Sequence, residues 1–96
     1  RQAMAVFRIF QEMLSNVGRH ARASHLAISI AVTDRRLRIV VPDDGPGAAP
    51  QAFEAPTAYG VMGMRERARP FGGWLAIDSA VGRGSTFTLD MPLPHD

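Results

Sequence analysis

The sequence has 96 residues, of which 11 are basic and 9 are acidic, so its formal net charge is only +2. Every basic residue is an arginine, and the lack of lysine excludes a Walker-A loop, a protein-kinase phosphate-binding lysine and a Schiff-base lysine. The lack of cysteine excludes disulfides, thiol nucleophiles and cysteine-ligated zinc. Because no aromatic platform or zinc-finger spacing accompanies the arginines, we expect no nucleic-acid partner.

Residues 1–96 are expected to fold as one domain. The sequence begins with Arg1, and neither a cleavable leader nor an apolar membrane span is visible in it. It is therefore expected to be a piece of a longer, soluble region.

The first predicted element is an amphipathic helix from Gln2 to Ala21. Glu12, Asn16 and Arg19 recur at helical spacing, roughly 200° around the helix from its apolar stripe. An acid, an amide and a base would therefore share the face opposite the stripe, with a plain solvated face as the alternative. The apolar stripe itself recurs at helical spacing through Phe7, Phe10, Leu14, Val17 and Ala21.

Two β-hairpins are predicted, one on each side of a second helix. The first pairs His25 to Thr33 with Leu37 to Val41, and the second pairs Trp74 to Ser79 with Thr86 to Met91. The order helix, two strands, loop, helix, two strands predicts an α/β (α+β) two-layer sandwich. Its helices would lie on one face of a mixed, mostly antiparallel sheet.

The first hairpin ends in an unusual turn, where an apolar strand stops at two carboxylates and two glycines. Gly45 and Gly47 permit positive φ or the close approach of another group, which predicts a binding site beside Asp43. An ordinary Asp-Gly surface turn is the alternative. The following segment, Ala48 to Tyr59, has few apolar anchors and predicts a mobile loop.

The second helix is predicted to begin at Gly60-Val61-Met62-Gly63-Met64 and to stop near Pro70. A helix entered through two glycines offers unpaired backbone N–H groups, and such a helix end binds phosphate readily. Two glycines that only permit a tight entry are the alternative.

Four motifs, in this order along nearly the whole chain, resemble the ATP-binding catalytic domain of bacterial sensor histidine kinases. That domain (HATPase_c) has the GHKL or Bergerat-type ATP fold of DNA gyrase, Hsp90 and MutL. The run Gly-x-x-Gly-Met-Arg-Glu-Arg further resembles the subfamily whose partners are NarL-like response regulators. The segments concerned are Phe7 to Asn16 with Arg19-His20-Ala21 (the N box), Asp43 to Gly47 and Gly60 to Ala68 (the two glycine boxes), and Gly82 to Phe87 with Met91-Pro92 (the closing strand).

The resemblance implies ATP and Mg²⁺ as ligands. Asn16 would ligate Mg²⁺, Asp43 would accept a hydrogen bond from the adenine amino group, and Glu12 occupies the position of the catalytic base in gyrase-like relatives. Ser85 stands where the family usually has threonine, and Arg19 replaces the usual lysine. The nucleotide-binding positions implied are Asn16, Arg19, His20, Asp43, Gly45, Gly47, Gly60, Val61, Gly63, Met64, Ser85 and Thr86.

The resemblance also implies partners. The acceptor histidine of this family lies in a dimerisation domain, which residues 1–96 do not include. The fragment is therefore expected to be monomeric with little or no turnover alone, inside a cytoplasmic region of a homodimeric kinase whose membrane anchoring stays open. An anti-sigma-factor-type serine kinase of the same fold and a non-catalytic partner-binding module that has lost nucleotide are the alternatives.

Overall fold

The computed structural model describes residues 1–20, 27–45 and 59–94, with the side chains of 17–20 and 59 excepted. Neither helix in these ranges is long and apolar enough to cross a membrane. A 3₁₀ turn, Arg69–Phe71, follows the second helix. The elements are α1 (Gln2–His20), β1 (Ser29–Thr33), β2 (Arg36–Asp43), α2 (Tyr59–Ala68), β3 (Trp74–Ala80) and β4 (Gly84–Pro92).

The four strands form one sheet in the order β1-β2-β4-β3. Both predicted hairpins are confirmed, and Asp34 and Arg35 make the first turn with φ of 52° and 61°, as tight hairpin turns require. Every pairing in the described ranges is antiparallel, where a mixed, mostly antiparallel sheet was expected. The sequence did not predict the central pairing of β2 with β4, which places Asp43 opposite Ser85.

Several element boundaries differ from their predicted positions. β2 continues past Val41 to Asp43, so the carboxylate belongs to the sheet and not to the turn after it. β4 includes Pro92, one residue past its predicted end at Met91, and the Leu93 amide donates to the Arg35 carbonyl at 2.7 Å. α2 begins at Tyr59, so both of its glycines lie inside the helix and not before it. β1 begins later than predicted, at Ser29; His25 lies outside the described residues.

The core lies between the sheet and the two helices, which confirms the two-layer architecture. The odd-numbered residues of β2 and β4 point to the helices, because successive side chains of a strand alternate between the two faces of a sheet. Each large apolar side chain buried there contributes roughly 1.5–3 kcal/mol to stability. The core consists of Ile9, Met13, Ile39, Val41, Val61, Met64, Ala68, Leu75, Phe87, Leu89 and Met91.

The predicted apolar stripe of α1 is only in part the buried face: Phe10 and Leu14 of the stripe are half-buried against the core. The structure buries Ile9 and Met13 completely and leaves Phe7 55% exposed. The buried face is therefore rotated by roughly 100° from the predicted stripe, toward the face that carries Asn16. Apolar residues lie nearly all around the first half of α1, so periodicity alone could not select the face that meets the sheet and α2.

The opposite face of the sheet holds an ion-paired cluster. Asp90 is only 4% exposed and accepts hydrogen bonds from Arg36 Nε at 2.7 Å and from Arg38 Nη2 at 3.1 Å. Burial raises the pKa of Asp90, but the hydrogen bonds and positive charges of the two arginines outweigh burial and hold that pKa below its ordinary value. The cluster joins β2 to β4 on the side away from the helices.

The two helices run antiparallel along the sheet. The start of α1 lies where β4 ends, since Gln2 Nε2 donates to the Pro92 carbonyl at 2.8 Å. The end of α2 lies at the same edge, because the Gly73 amide bonds to the Ala68 carbonyl and Gly73 packs against Met91. α1 has 19 residues and a length of about 28 Å, so its second half reaches the other edge, where β2 ends and β4 begins.

Candidate functional site

The second half of α1 holds a buried amide. Asn16 is 6% exposed, and its Nδ2 donates to both the backbone carbonyl and the Oε2 of Glu12, each at 3.0 Å. Since both N–H bonds of the amide point to Glu12, the amide oxygen is the atom that can meet a cation. The helix supplies this arrangement directly, because residues four apart lie on one face.

That amide oxygen suits Mg²⁺. Mg²⁺ prefers hard oxygen ligands, and it is commonly held by one or two protein groups together with water and substrate phosphates. Among the described residues, no group of three or more histidines and carboxylates could hold a metal ion. The Asn16 amide oxygen is therefore the donor in the helix that fits Mg²⁺.

Gly60 of α2 packs directly against this pair. A Cβ on Gly60 would overlap Glu12 Oε2, and it would lie 3.1 Å from Glu12 Cδ and 3.2 Å from Asn16 Nδ2. The glycine thus allows α2 to approach α1 without displacing the acid or the amide. We call this contact of Glu12, Asn16 and Gly60 the helix junction.

A second group of polar residues lies where β2 ends. Asp43 Oδ1 accepts a hydrogen bond from the Gly45 amide at 2.8 Å, which fixes the carboxylate against the following turn. The remaining lone pairs of the carboxylate can accept a further hydrogen bond. Ser85 faces Asp43 across the β2–β4 pairing, and both residues belong to the helix side of the sheet. We call Asp43, Gly45 and Ser85 the strand-end junction.

Two residues that support this junction were missed by sequence reasoning. Gly84 has a φ of 82°, and a Cβ there would overlap the Asp43 carbonyl oxygen. Ser79 is 6% exposed, and its Oγ lies 2.7 Å from Ser85 Oγ and donates to the Gly84 carbonyl at 3.2 Å. The hairpin register, which places Ser79 opposite Ser85, is the signal that could have identified Ser79.

The structure does not bring all predicted nucleotide-binding residues together. Val61 and Met64 are 2% and 0% exposed and pack in the core, so their side chains do not line an open site. Thr86 lies on the opposite face of the sheet from Asp43 and Ser85. It is paired with Asp78 of β3. Gly63 lies in α2 one turn before Arg67, whose Nη1 would be 3.1 Å from an added Cβ.

Other predicted residues lie outside the described part of the site. Arg19 and His20 occupy the end of α1, but their side chains are not described. Gly47 and residues 48–58 of the predicted loop are also outside the described residues. Tyr59, predicted as the last residue of that loop, is the first residue of α2.

The helix junction and the strand-end junction lie on the same side of the sheet and toward the same edge. The core on that side of the sheet includes Met13 and Val61 of the helices and Val41 and Phe87 of the strands. The arrangement can offer an oxygen ligand for a cation at one end and an acid that accepts from an amino group at the other. These are the two groups that a nucleotide presents, as metal-bound phosphates and as an adenine ring.

The family comparison agrees with this geometry. Residues 1–95 match the family HATPase_c, described as histidine kinase-, DNA gyrase B- and HSP90-like ATPase. The sensor histidine kinase LiaS of Bacillus subtilis is 36% identical over 88 residues, covering 92% of this chain and 24% of its own. UhpB of Salmonella typhimurium, a signal transduction histidine-protein kinase/phosphatase, is 38% identical over 88 residues, covering 92% of this chain and 17% of its own.

The solved structures agree with respect to the fold. The blue-light activated histidine kinase of Erythrobacter litoralis EL346 superposes with a TM-score of 0.81 at 23% identity, over 96% of this chain and 30% of the kinase. The chain spans about a fifth of the length of the curated relatives it matches, from 16% to 24%. It belongs to the HATPase_c family of ATPases and, within that family, is similar to the ATPase domains of sensor histidine kinases.

Proposed function

We propose that this domain binds Mg·ATP on the helix side of the sheet and presents the γ-phosphate to a histidine in another domain of a two-component sensor kinase. The observation that supports the proposal is the position of the two junctions at one edge of one face. The helix junction would meet the phosphates and Mg²⁺, and the strand-end junction would meet the adenine. The relatives named as histidine kinases favour histidine over serine as the acceptor.

The strand-end junction would select the base. Asp43 can accept a hydrogen bond from the adenine amino group but cannot donate one to the carbonyl of guanine. Losing such a charge-assisted bond costs on the order of 1.5–3 kcal/mol, which corresponds to about 10- to 150-fold in affinity. The hydroxyl of Ser85 would hold the acid or a water molecule beside the ring.

The helix junction would position the phosphates. Asn16 would hold Mg²⁺, which when bound neutralises charge on the phosphate oxygens. The backbone N–H groups at the start of α2, which contains Gly60 and Gly63, would bind phosphate oxygens. Phosphoryl transfer requires mainly positioning and charge stabilisation from the protein. In that step the imidazole nitrogen forms a bond to the γ-phosphorus, and the bond to the bridging oxygen of ADP breaks.

Glu12 is the proposed catalytic residue of the helix junction. Its carboxylate holds the Asn16 amide and could also accept the proton of the attacking imidazole. Glu12→Ala is expected to lower the rate of phosphoryl transfer more than it lowers nucleotide affinity. Equal losses in both would show that Glu12 only positions Asn16.

The domain is proposed to act as one part of a larger homodimeric kinase. The isolated domain would be monomeric and inactive alone, because the acceptor histidine and the dimerisation contacts would lie in other domains of a homodimeric kinase. The run from Gly60 to Arg67 supports a NarL-like response regulator as the downstream partner. The domain would act in the cytoplasm, whether or not the rest of the kinase is anchored in the membrane.

Calorimetric titration of ATP into the domain, with and without Mg²⁺, tests the proposal. The wild type is expected to bind with a dissociation constant of roughly 1 μM to 1 mM. Asp43→Asn should weaken binding by about 10- to 150-fold, and Asn16→Ala should remove the effect of Mg²⁺. A folded wild-type domain that binds no nucleotide would favour the partner-binding module instead.

A further inference from the structure

A buried serine lies behind the strand-end junction. Ser79 of β3 is 6% exposed and pairs with Ser85 of β4 in the hairpin register. Its Oγ lies 3.2 Å from the Gly84 carbonyl oxygen and 2.7 Å from Ser85 Oγ. Ser79 therefore contacts a residue of the proposed nucleotide site from the side of the neighbouring strand.

The two contacts of Ser79 fix the direction of the hydrogen bond between the serines. A carbonyl oxygen only accepts, so Ser79 donates its hydroxyl hydrogen to Gly84. Because a serine hydroxyl has one hydrogen, Ser85 must be the donor in the short contact between the two hydroxyl groups. The opposite direction would leave the Ser79 and Gly84 oxygens facing each other with no hydrogen between them, which is costly in a buried place.

This direction determines what the strand-end junction offers to a ligand. With its hydrogen bound to Ser79, the Ser85 oxygen can only accept a hydrogen bond from a ligand, and a bond from Ser85 to the carboxylate is excluded. Asp43 also only accepts, and its Oδ1 is held in place by the Gly45 amide at 2.8 Å. The side chains of Asp43 and Ser85 therefore present two oriented acceptors to a base.

The spacing of these two acceptors fits a single amino group. Asp43 and Ser85 are directly opposite in an antiparallel pair, which places their Cβ atoms about 4.5–5.5 Å apart. The N–H bonds of an amino group diverge by about 120°, so two acceptors at about 2.9 Å from its nitrogen lie about 5 Å from each other. A carbonyl in the same position would meet two acceptors and no hydrogen.

We propose that Ser79 is a positioning residue for base recognition. By binding the hydrogen of Ser85, it makes Ser85 and Asp43 accept one hydrogen each from the 6-amino group of adenine. The inference rests on the proposed function, because it presumes that adenine lies at the strand-end junction. It extends that function from one acceptor to two, and it gives a role in specificity to a buried residue that acts through Ser85.

Calorimetric titration with two nucleotides tests the inference. Purine riboside triphosphate has a hydrogen in place of the 6-amino group of ATP, so the ratio of the two dissociation constants measures the contribution of the amino group. Ser79→Ala frees the hydroxyl of Ser85 to turn, and this ratio should then fall by about 2- to 12-fold, the range for one hydrogen bond between uncharged groups. A purely structural role of Ser79 would weaken the binding of both nucleotides equally and leave the ratio unchanged.

Thr88→Ala is the matched control. It removes a hydroxyl from the same strand on the face away from the helices, where Thr88 pairs with Val40 and Ala76. The ratio of dissociation constants should equal that of the wild type. A fall as large as that in Ser79→Ala would overturn the inference, because it would show that any lost hydroxyl in β3 or β4 has this effect.

Ser85→Ala provides a second test that does not require Ser79→Ala to fold. Truncation of Ser85 removes one of the two acceptors, so the ratio should again fall by about 2- to 12-fold. The double variant Ser79→Ala/Ser85→Ala should show no further fall, because Ser79 acts through Ser85. Additive effects on the ratio would show that Ser79 acts by another route and would overturn the inference.

The remaining outcomes separate this inference from the proposed function. An unchanged ratio in Ser79→Ala or in Ser85→Ala would overturn the inference, while ATP binding by the wild type would still support the proposed function. Equal binding of both nucleotides by the wild type would also overturn it, because the amino group would then contribute no hydrogen bond. A wild type that binds neither nucleotide would remove the proposed function itself and this inference with it.

Discussion

Replacing Gly60 with alanine tests how closely the two helices must approach for the site to form. The added Cβ would overlap Glu12 Oε2 and lie 3.2 Å from Asn16 Nδ2, so Glu12 must move away. The movement breaks the 3.0 Å hydrogen bond that holds the amide. A hydrogen bond to a charged group contributes about 1.5–3 kcal/mol, and this one is only partly buried, so the lower end of that range applies.

Helix propensity acts in the opposite direction. Alanine in a helix interior is favoured over glycine by up to about 1 kcal/mol, and Gly60 lies in the first turn of α2, where the gain is smaller. The free energy of unfolding should therefore change by less than about 2 kcal/mol. The affinity for Mg·ATP should fall by about tenfold, because the loss of roughly 1.4 kcal/mol acts on the position of Asn16.

A double-mutant cycle with Glu12→Ala provides the control. If Gly60→Ala acts by displacing Glu12, its effect on Mg·ATP affinity should nearly disappear once Glu12 has been truncated, and calorimetry would give a coupling energy above about 0.5 kcal/mol. Additive effects of the two substitutions, or an unchanged affinity in Gly60→Ala, would refute the steric argument.

Three further substitutions test the strand-end junction and the opposite face of the sheet. Ser79→Ala removes the hydroxyl behind Ser85 and should lower the free energy of unfolding by about 0.5–1.5 kcal/mol in urea denaturation, with weaker ATP binding. Gly84→Ala places a side chain at a positive φ, and its Cβ would overlap the Asp43 carbonyl oxygen. The free energy of unfolding should therefore fall by about 1–3 kcal/mol or more. An unchanged free energy of unfolding would show that β2 can shift. The pKa of Asp90 is lower in the folded state than in the unfolded state, so the ionised carboxylate stabilises the fold above about pH 4. This stabilisation is lost as the pH falls through the folded-state pKa. The midpoint of thermal unfolding should therefore depend less on pH in Asp90→Asn than in the wild type, between about pH 2 and 5. Identical pH profiles would contradict the role of the two arginines.

Much of the fold could be predicted because the strands alternate cleanly and the turns have strong signals. The pair Asp34-Arg35 joins β1 and β2 as expected, and the third and fourth strands pair as a hairpin. The central pairing of β2 with β4 could not be predicted, because it joins residues about 50 positions apart and no local pattern encodes it. That pairing is what brings Ser85 to Asp43.

The limits of prediction in the site have the same origin. The spacing of Glu12 and Asn16 correctly indicated that they share one helix face, but not that this face is partly buried against α2. The need for glycine at position 60 arises from contact with Glu12, on another helix, and therefore has no signature in the sequence nearby. Val61 and Met64 were matched to a motif by position, and the structure shows that their side chains serve the core.

A titration of the ¹⁵N-labelled domain with Mg·ADP, followed by NMR, tests most directly whether the two junctions form one nucleotide site. If one nucleotide contacts both junctions, the amides of Gly45 and Gly60 and the side-chain amide of Asn16 should shift together, with one common dissociation constant. Arg38, on the opposite face of the sheet, should shift little. Shifts at only one junction, or shifts centred on Arg38, would contradict a nucleotide site on the helix side of the sheet.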